Sequence, residues 1–256
     1  MKALRAIGMA FALYSRIPMP NLDWESESRR WLLCAFPLVG IAVGGAELLW
    51  LWLARLLGLS GVLQAAVLTA IPLLVTGGIH LDGFCDVCDA RASHQSRERK
   101  LEIMKDPHVG SFAVMACVIY LLLTFGLWHQ LDRTDSRLWA ALLLLPVLGR
   151  CLSAYAALTL PNARGNGMLA SVTAPERGQL WILAAAAIFC SLGILAARWM
   201  NWIAVAGGGL TYLGYVRRVR REFGGTTGDL SGWFLQRFEW ITLAGLVLAQ
   251  GLEECL

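Results

Sequence analysis

Charge is what this sequence has least of. Only 16% of its 256 residues are Asp, Glu, Lys or Arg, where a soluble domain carries about 25%. That shortage excludes a sizeable soluble domain. The formal net charge of +4 is too small to argue for nucleic acid as a partner. There is no low-complexity segment and no convincing internal repeat. A disulfide framework is missing too. The seven cysteines, Cys34, Cys85, Cys88, Cys117, Cys151, Cys190 and Cys255, are odd in number, and most sit in apolar runs where Cys acts as a small hydrophobe. The first twenty residues place Lys2 and Arg5 before an apolar stretch, as a signal peptide does. They lack its small-residue cleavage site, where Ser15-Arg16-Ile17-Pro18 stands instead. The reading is an uncleaved helix in or on the membrane.

What is abundant is apolar side chain. Hydrophobic residues make up 57% of the chain, with eleven Trp, a residue that favours membrane–water interfaces. A spanning helix needs about 20 apolar residues. Seven segments qualify or nearly so: 31–57, 62–79, 111–131, 138–160, 180–197, 202–216 and 233–251. The sixth is short and holds Gly207-Gly208-Gly209, which points to a broken, tilted or closely packed helix. The expected fold is all-α, a polytopic transmembrane bundle of about seven spans in a single integral membrane domain, residues 1–256. With the N-terminus cytoplasmic, sixteen Lys and Arg fall on one side and four, Arg55, Arg133, Arg137 and Arg198, on the other. That bias orients the chain and makes the connection 80–110 cytoplasmic.

Four stretches on that face carry polar chemistry. The first, Gly77 to Ala90, reads GGIHLDGFCDVCDA. On a helix, at about 100° per residue, Asp82, Asp86 and Asp89 fall within an arc of about 60°. Three like charges on one stripe repel, and a divalent cation such as Mg²⁺ is the simplest compensation; a solvated acidic helix end is the alternative. Cys85 and Cys88 form a C-x-x-C near His80 and His94, a weak zinc or redox signal that points away from the stripe. In the second stretch, Arg97 to Ser111, the acids Glu98, Glu102 and Asp106 recur every four residues before Pro107 ends the helix. Glu102 and Asp106 are candidates for a second metal's shell and Lys105 for a phosphate contact. A surface helix with internal ion pairs is the plainer reading.

The third stretch, Phe223 to Gly232, offers Gly225, Thr227 and their neighbours as a phosphate cradle and Asp229 as a further metal ligand; a plain loop is the alternative. The fourth, Pro161 to Met168, is a Gly-rich connection with a single Arg164. Arg150, inside an apolar span, is a costly charge of the kind that is functional or paired, and is a candidate for substrate binding. Carboxylates, basic residues and Gly-rich loops on one face describe a site for a pyrophosphate substrate.

At these residues the sequence resembles the cobalamin synthases, or adenosylcobinamide-GDP ribazoletransferases. The similar stretches are GGIHLDGFCDVCDA, ERKLEIMKDPHVGSF from Glu98 to Phe112, and GGTTGDLSG from Gly224 to Gly232, with YSRIP from Tyr14 and FPLVG from Phe36. The resemblance covers nearly the whole chain. It implies a Mg²⁺-dependent enzyme, multi-pass in the bacterial inner membrane, that completes the cobalamin nucleotide loop. α-Ribazole, or its 5′-phosphate, would attack the cobinamide-side phosphorus of adenosylcobinamide-GDP and expel GMP. The first motif is also similar to that of CDP-alcohol phosphotransferases, whose full pattern is not matched.

On this reading Asp82, Asp86 and Asp106 or Asp229 hold one or two Mg²⁺, and Asp89 or His80 is the general base. The partners expected are these small molecules and membrane lipids, with a homo-oligomer or a complex with other cobalamin-assembly enzymes as further options. The rival functions are a cation-coupled transporter and a CDP-alcohol-type lipid phosphotransferase. The seven-span arrangement makes a direct prediction: a reporter fused after Glu254 reads as periplasmic, and a cytoplasmic reading breaks it.

Overall fold

A computed structural model of the protein describes residues 2–21, 26–165 and 176–255. Eleven α-helices carry the described chain. They are α1 (Lys2–Tyr14), α2 (Ser26–Arg30), α3 (Leu32–Leu56), α4 (Gly61–Thr76), α5 (Ile79–Ala92), α6 (Arg97–Ile103), α7 (Ser111–Gln130), α8 (Leu138–Thr159), α9 (Arg177–Ala197), α10 (Trp202–Arg218) and α11 (Gly228–Glu254). All seven apolar segments are helical. Helices α3, α7, α8 and α9 are each long and apolar enough to cross a bilayer, and α4 with α5 makes a fifth candidate, bent by 95°. Helix α10 has 17 residues, or about 26 Å of rise. Helix α11 has 27 but carries Asp229, Arg237 and Glu239. These two fall short of the spanning criterion by length and by charge.

The second apolar segment ends earlier than its hydrophobicity predicts. Helix α4 stops at Thr76, and Gly77 and Gly78 follow with φ of 67° and 78°. Two successive left-handed residues are tolerated there because glycine has no Cβ. They turn the chain so that the first motif becomes a separate helix, α5. Helix α6 also ends early, at Ile103, so Asp106 lies beyond it and the Glu98–Glu102–Asp106 stripe is not continuous.

The centre of the bundle is the pair α3–α8, which meets through glycine. A Cβ on Gly40 would lie 2.8 Å from the Pro146 carbonyl, and one on Gly44 would lie 2.8 Å from Leu143 Cα. Without side chains at those positions the two backbones touch, the close packing that small residues four apart permit. The same device joins α11 to α10, where a Cβ on Gly245 would lie 2.6 Å from Ala204 Cα.

The two ends of the bundle separate by charge as the sequence predicts. The four arginines counted on the sparse side gather at the α7–α8 connection. Arg55 donates to the Arg133 and Thr134 carbonyls at 3.2 and 2.8 Å, and Arg137 and Arg198 both pair with Asp135. Arg198 also pairs with Glu253. At the other end Glu222 receives Arg91 at 3.0 Å, Arg218 at 3.5 Å and Lys100 at 3.9 Å. Arg91, Arg218 and Arg237 also lie over the Trp233 ring, at 5.5, 5.8 and 4.6 Å. These contacts tie α5, α6, α10 and α11 together. Replacing Gly44 by Val forces α3 from α8; a loss of about 1–3 kcal/mol is expected for such overpacking. It is read as a lowered thermal midpoint in detergent, and an unchanged midpoint contradicts the packing described.

Candidate functional site

Helix α5 is short, and its face is divided. His80, Gly83, Phe84, Val87 and Ala90 are buried. Gly83 sits against α11, where an added Cβ would lie 2.7 Å from Asp229 Cα, and Gly232 of α11 returns the contact, 2.9 Å from the His80 carbonyl oxygen. This mutual approach brings the exposed Asp82 and half-buried Asp86 beside Asp229, in the first turn of α11. Asp86 lies within electrostatic reach of Asp82, Asp229 and Asp89 and of Arg164.

Arg164 is the cation of the cluster. Its Nη2 is 2.7 Å from Asp229 Oδ2 and 3.2 Å from the Met104 carbonyl. It is placed by a two-stranded contact between loops. Thr226 N–H donates to the Pro161 carbonyl at 2.8 Å, and Ala163 N–H to the Thr226 carbonyl at 2.9 Å. The sequence marked Arg164 only as the single Arg of a Gly-rich connection. The rest of that connection, from Asn166, lies outside the described residues.

The third member of the aspartate stripe does something else. Asp89 accepts from Gly110 N–H at 2.6 Å and from Ala113 N–H at 2.8 Å. Both of its oxygens thus bind amides at the start of α7, which offers no side-chain cap of its own. A carboxylate there satisfies orphan donors and complements the helix dipole. Each Asp89 oxygen spends one lone pair on α7, a capping role that the sequence does not signal beside the expected one of general base.

Other candidates are also engaged. Gly225 gives its N–H to Val219 and packs against the Pro161 carbonyl. Thr227 is buried and caps α11, accepting from Leu230 N–H at 3.2 Å. Both shape the loop instead of presenting donors to a phosphate. Glu102 pairs with Arg99 at 2.8 Å. Asp106 accepts from His108 N–H at 2.9 Å, with the His108 ring at 2.7 Å. Those contacts hold the exposed Asp106 carboxyl below the usual range. Among the described residues neither Glu102 nor Asp106 bonds to the aspartate cluster. Lys105 is exposed, one residue beyond the carbonyl that holds Arg164. The thiols of Cys85 and Cys88 are free and half-buried.

A cleft runs from Asp82 and Asp229 down to His80, Phe36, Tyr14 and Ser153. His80 is 5% exposed, its ring centroid 5.8 Å from that of Phe36, and its Nε2 has no hydrogen-bond partner. Arg150 lies deeper and does not line the cleft. It is fully buried and donates to the Pro146 carbonyl and to Glu239, each at 3.0 Å. Its expected contact with substrate is replaced by an internal ion pair, one of the two outcomes a charge at this depth allows.

Among the described residues no group of three or more His, Cys, Asp or Glu side chains converges as a ready metal shell. The donor set nonetheless fits Mg²⁺. Three carboxylates face one guanidinium, all ligand atoms are hard oxygens, and Mg²⁺ is commonly held by one or two carboxylates with waters and substrate phosphates completing the shell.

Apolar helices and a carboxylate–arginine cluster at one end define a membrane-embedded helical protein with a largely apolar cleft entering beside that cluster. The chain belongs to the cobalamin-5-phosphate synthase family, which matches residues 6–247. It is similar to the adenosylcobinamide-GDP ribazoletransferase of Lachnoclostridium phytofermentans, 38% identical over 98% of this chain and 97% of that one. The enzymes of the same name from Desulfitobacterium hafniense and Stutzerimonas stutzeri are 36% and 38% identical, each over 96% of this chain and over 97% and 98% of theirs. No solved structure matches the chain.

The capping role is measurable. Asp89→Ala is expected to weaken the first turn of α7 by about 1–2 kcal/mol, speeding hydrogen exchange of the Ala113 amide by roughly 5–30-fold. An unchanged exchange rate rules the cap out.

Proposed function

We propose that this chain is an adenosylcobinamide-GDP ribazoletransferase, joining α-ribazole or its 5′-phosphate to the adenosylcobinamide phosphate and releasing GMP. Family membership and the relatives' shared name support the reaction. The observation that carries the site is the juxtaposition of Asp82, Asp86 and Asp229 with Arg164 at the mouth of a cleft.

The chemistry is an in-line displacement at phosphorus. A ribazole hydroxyl oxygen forms a bond to the cobinamide-side phosphorus, and the bond from that phosphorus to the bridging oxygen breaks. GMP departs with that oxygen. Asp82, Asp86 and Asp229 are the residues that would hold Mg²⁺, which when bound neutralises charge on the pyrophosphate and the departing phosphate. Arg164, oriented by Asp229 and Met104, binds a phosphate oxygen, and the exposed Lys105, two residues beyond α6, is a second phosphate contact. Asp89 is engaged with α7, whereas His80 Nε2 has no partner, so His80 accepts the proton of the attacking hydroxyl as general base. Phe36 and Tyr14 exclude water around it. The cluster lies on the cytoplasmic face of the bacterial inner membrane in this reading, following the excess of Lys and Arg at that end.

The test is turnover. Purified protein in lipid, given adenosylcobinamide-GDP, α-ribazole and Mg²⁺, releases GMP in a substrate-dependent manner. Asp82→Asn is expected to lower that rate by at least about 10²-fold, the scale of losing one electrostatic stabiliser, with helical content unchanged by circular dichroism. No GMP from the wild type, or near-normal turnover in the folded variant, overturns the assignment.

A further inference from the structure

A second cavity, mainly apolar but holding two carboxyls, lies away from the cleft between α3, α4, α7, α8 and α11. Its polar lining is Glu47, Glu239, Thr69, Tyr120, Thr124 and Thr242. Glu47 and Glu239 come from near the middle of α3 and α11, so the space lies deep in the bundle. Glu47 is only 4% exposed, and among the described residues it has no hydrogen bond or ion pair. Glu239 gives one oxygen to Arg150 at 3.0 Å.

The three threonines decide what the space accepts. Each has one hydroxyl proton, and each donates it to the carbonyl one turn back. Thr69 donates to Ala65 at 2.9 Å, Thr124 to Tyr120 at 2.7 Å and Thr242 to Phe238 at 2.7 Å. A hydroxyl whose proton is engaged offers only lone pairs. The wall is therefore rich in acceptors, with the Tyr120 hydroxyl and the Trp128 indole as donors. Its charge is also unbalanced. With both carboxyls ionised, Glu47 and Glu239 would bring two negative charges against the one positive charge of Arg150. Deep in the bundle that residual charge is costly unless a proton neutralises Glu47 or a cation pairs with it.

We propose that this cavity binds one monovalent cation, held by the carboxylates of Glu47 and Glu239 and the hydroxyl oxygens of Thr69, Thr124 and Thr242. The ligand atoms are all hard oxygens. One positive charge balances the site, whereas a divalent ion reverses its sign. Coupling-ion sites of transporters also lie near the bilayer midplane, although there broken helices supply the ligands. The cation also secures the Arg150–Glu239 pair, which packs at 5.8 Å under the Phe36 ring and so lies beneath the floor of the cleft.

The test uses the full-length protein in detergent and radioactive sodium in a scintillation proximity assay, so it is independent of turnover. The wild type is expected to bind saturably, displaced by unlabelled sodium and not by choline. Its melting temperature is expected to be about 3 °C higher in sodium than in choline of equal ionic strength. Glu47→Gln is expected to lose both effects. Should that variant fail to fold, Thr124→Val, which removes one neutral oxygen, is expected to weaken sodium binding about tenfold. Absence of saturable binding in the wild type, or equal affinity in the folded variants, overturns the proposal. So does an infrared carboxylic-acid band in sodium that disappears in Glu47→Gln, since a proton would then occupy the site.

Discussion

Gly83 of α5 rests on the backbone of α11 at Asp229, and Gly232 of α11 rests on the backbone of α5 at His80. Neither contact survives a side chain larger than hydrogen without a shift of one helix. Because the helices approach this closely, Asp82 and Asp86 share a small volume with Asp229, and their mutual repulsion becomes a property of the fold. Arg164 relieves part of it and leaves an excess of negative charge facing the cleft. On the proposed reading that excess is what a bound cation neutralises when a phosphate approaches.

Around that contact the polar residues divide into those that face the cleft and those that hold the cleft in place. Asp89 fixes the start of α7 through two amides. Thr227 fixes the start of α11. Glu222 gathers three basic side chains from α5, α6 and α10. These residues stand beside the cluster in sequence and share its composition, so composition alone does not separate the two groups. The separation depends on where each acceptor's lone pairs are already used.

The seven apolar runs were legible because burial in lipid requires continuous hydrophobicity, and each run is a helix. The grouping of the four sparse-side arginines was legible as well, since Arg55, Arg133, Arg137 and Arg198 do meet at one end. The break after Thr76 was visible only as two glycines. A period of 3.6 residues does not say whether Gly77 and Gly78 continue a helix or turn it, and their positive φ decides. The Asp229–Arg164 pair depends on the bridge between Asn162 and Thr226, which no local pattern encodes. Arg150 announced itself as a charge in an apolar run, but its partner is 89 residues away. Glu47 passed unmarked in its own apolar segment, where a single acid barely lowers the hydropathy.

The two charged layers behave differently because they differ in closure. At the cleft mouth the acids outnumber the nearby base, Asp82 is exposed and Arg164 is half-buried, so ligands from water can reach the imbalance. Beneath the Phe36 and His80 rings, Arg150 is fully buried and bonded to Glu239 and to its own helix at Pro146. On the proposed reading a phosphate descending the cleft meets Arg164 and a bound cation at the rim and an apolar, aromatic floor below. Moving it further would mean breaking a buried ion pair, which leaves an uncompensated charge and costs about 3–5 kcal/mol. In the proposed reaction the phosphate therefore stays at the level of Asp82 and Asp229, above the buried His80.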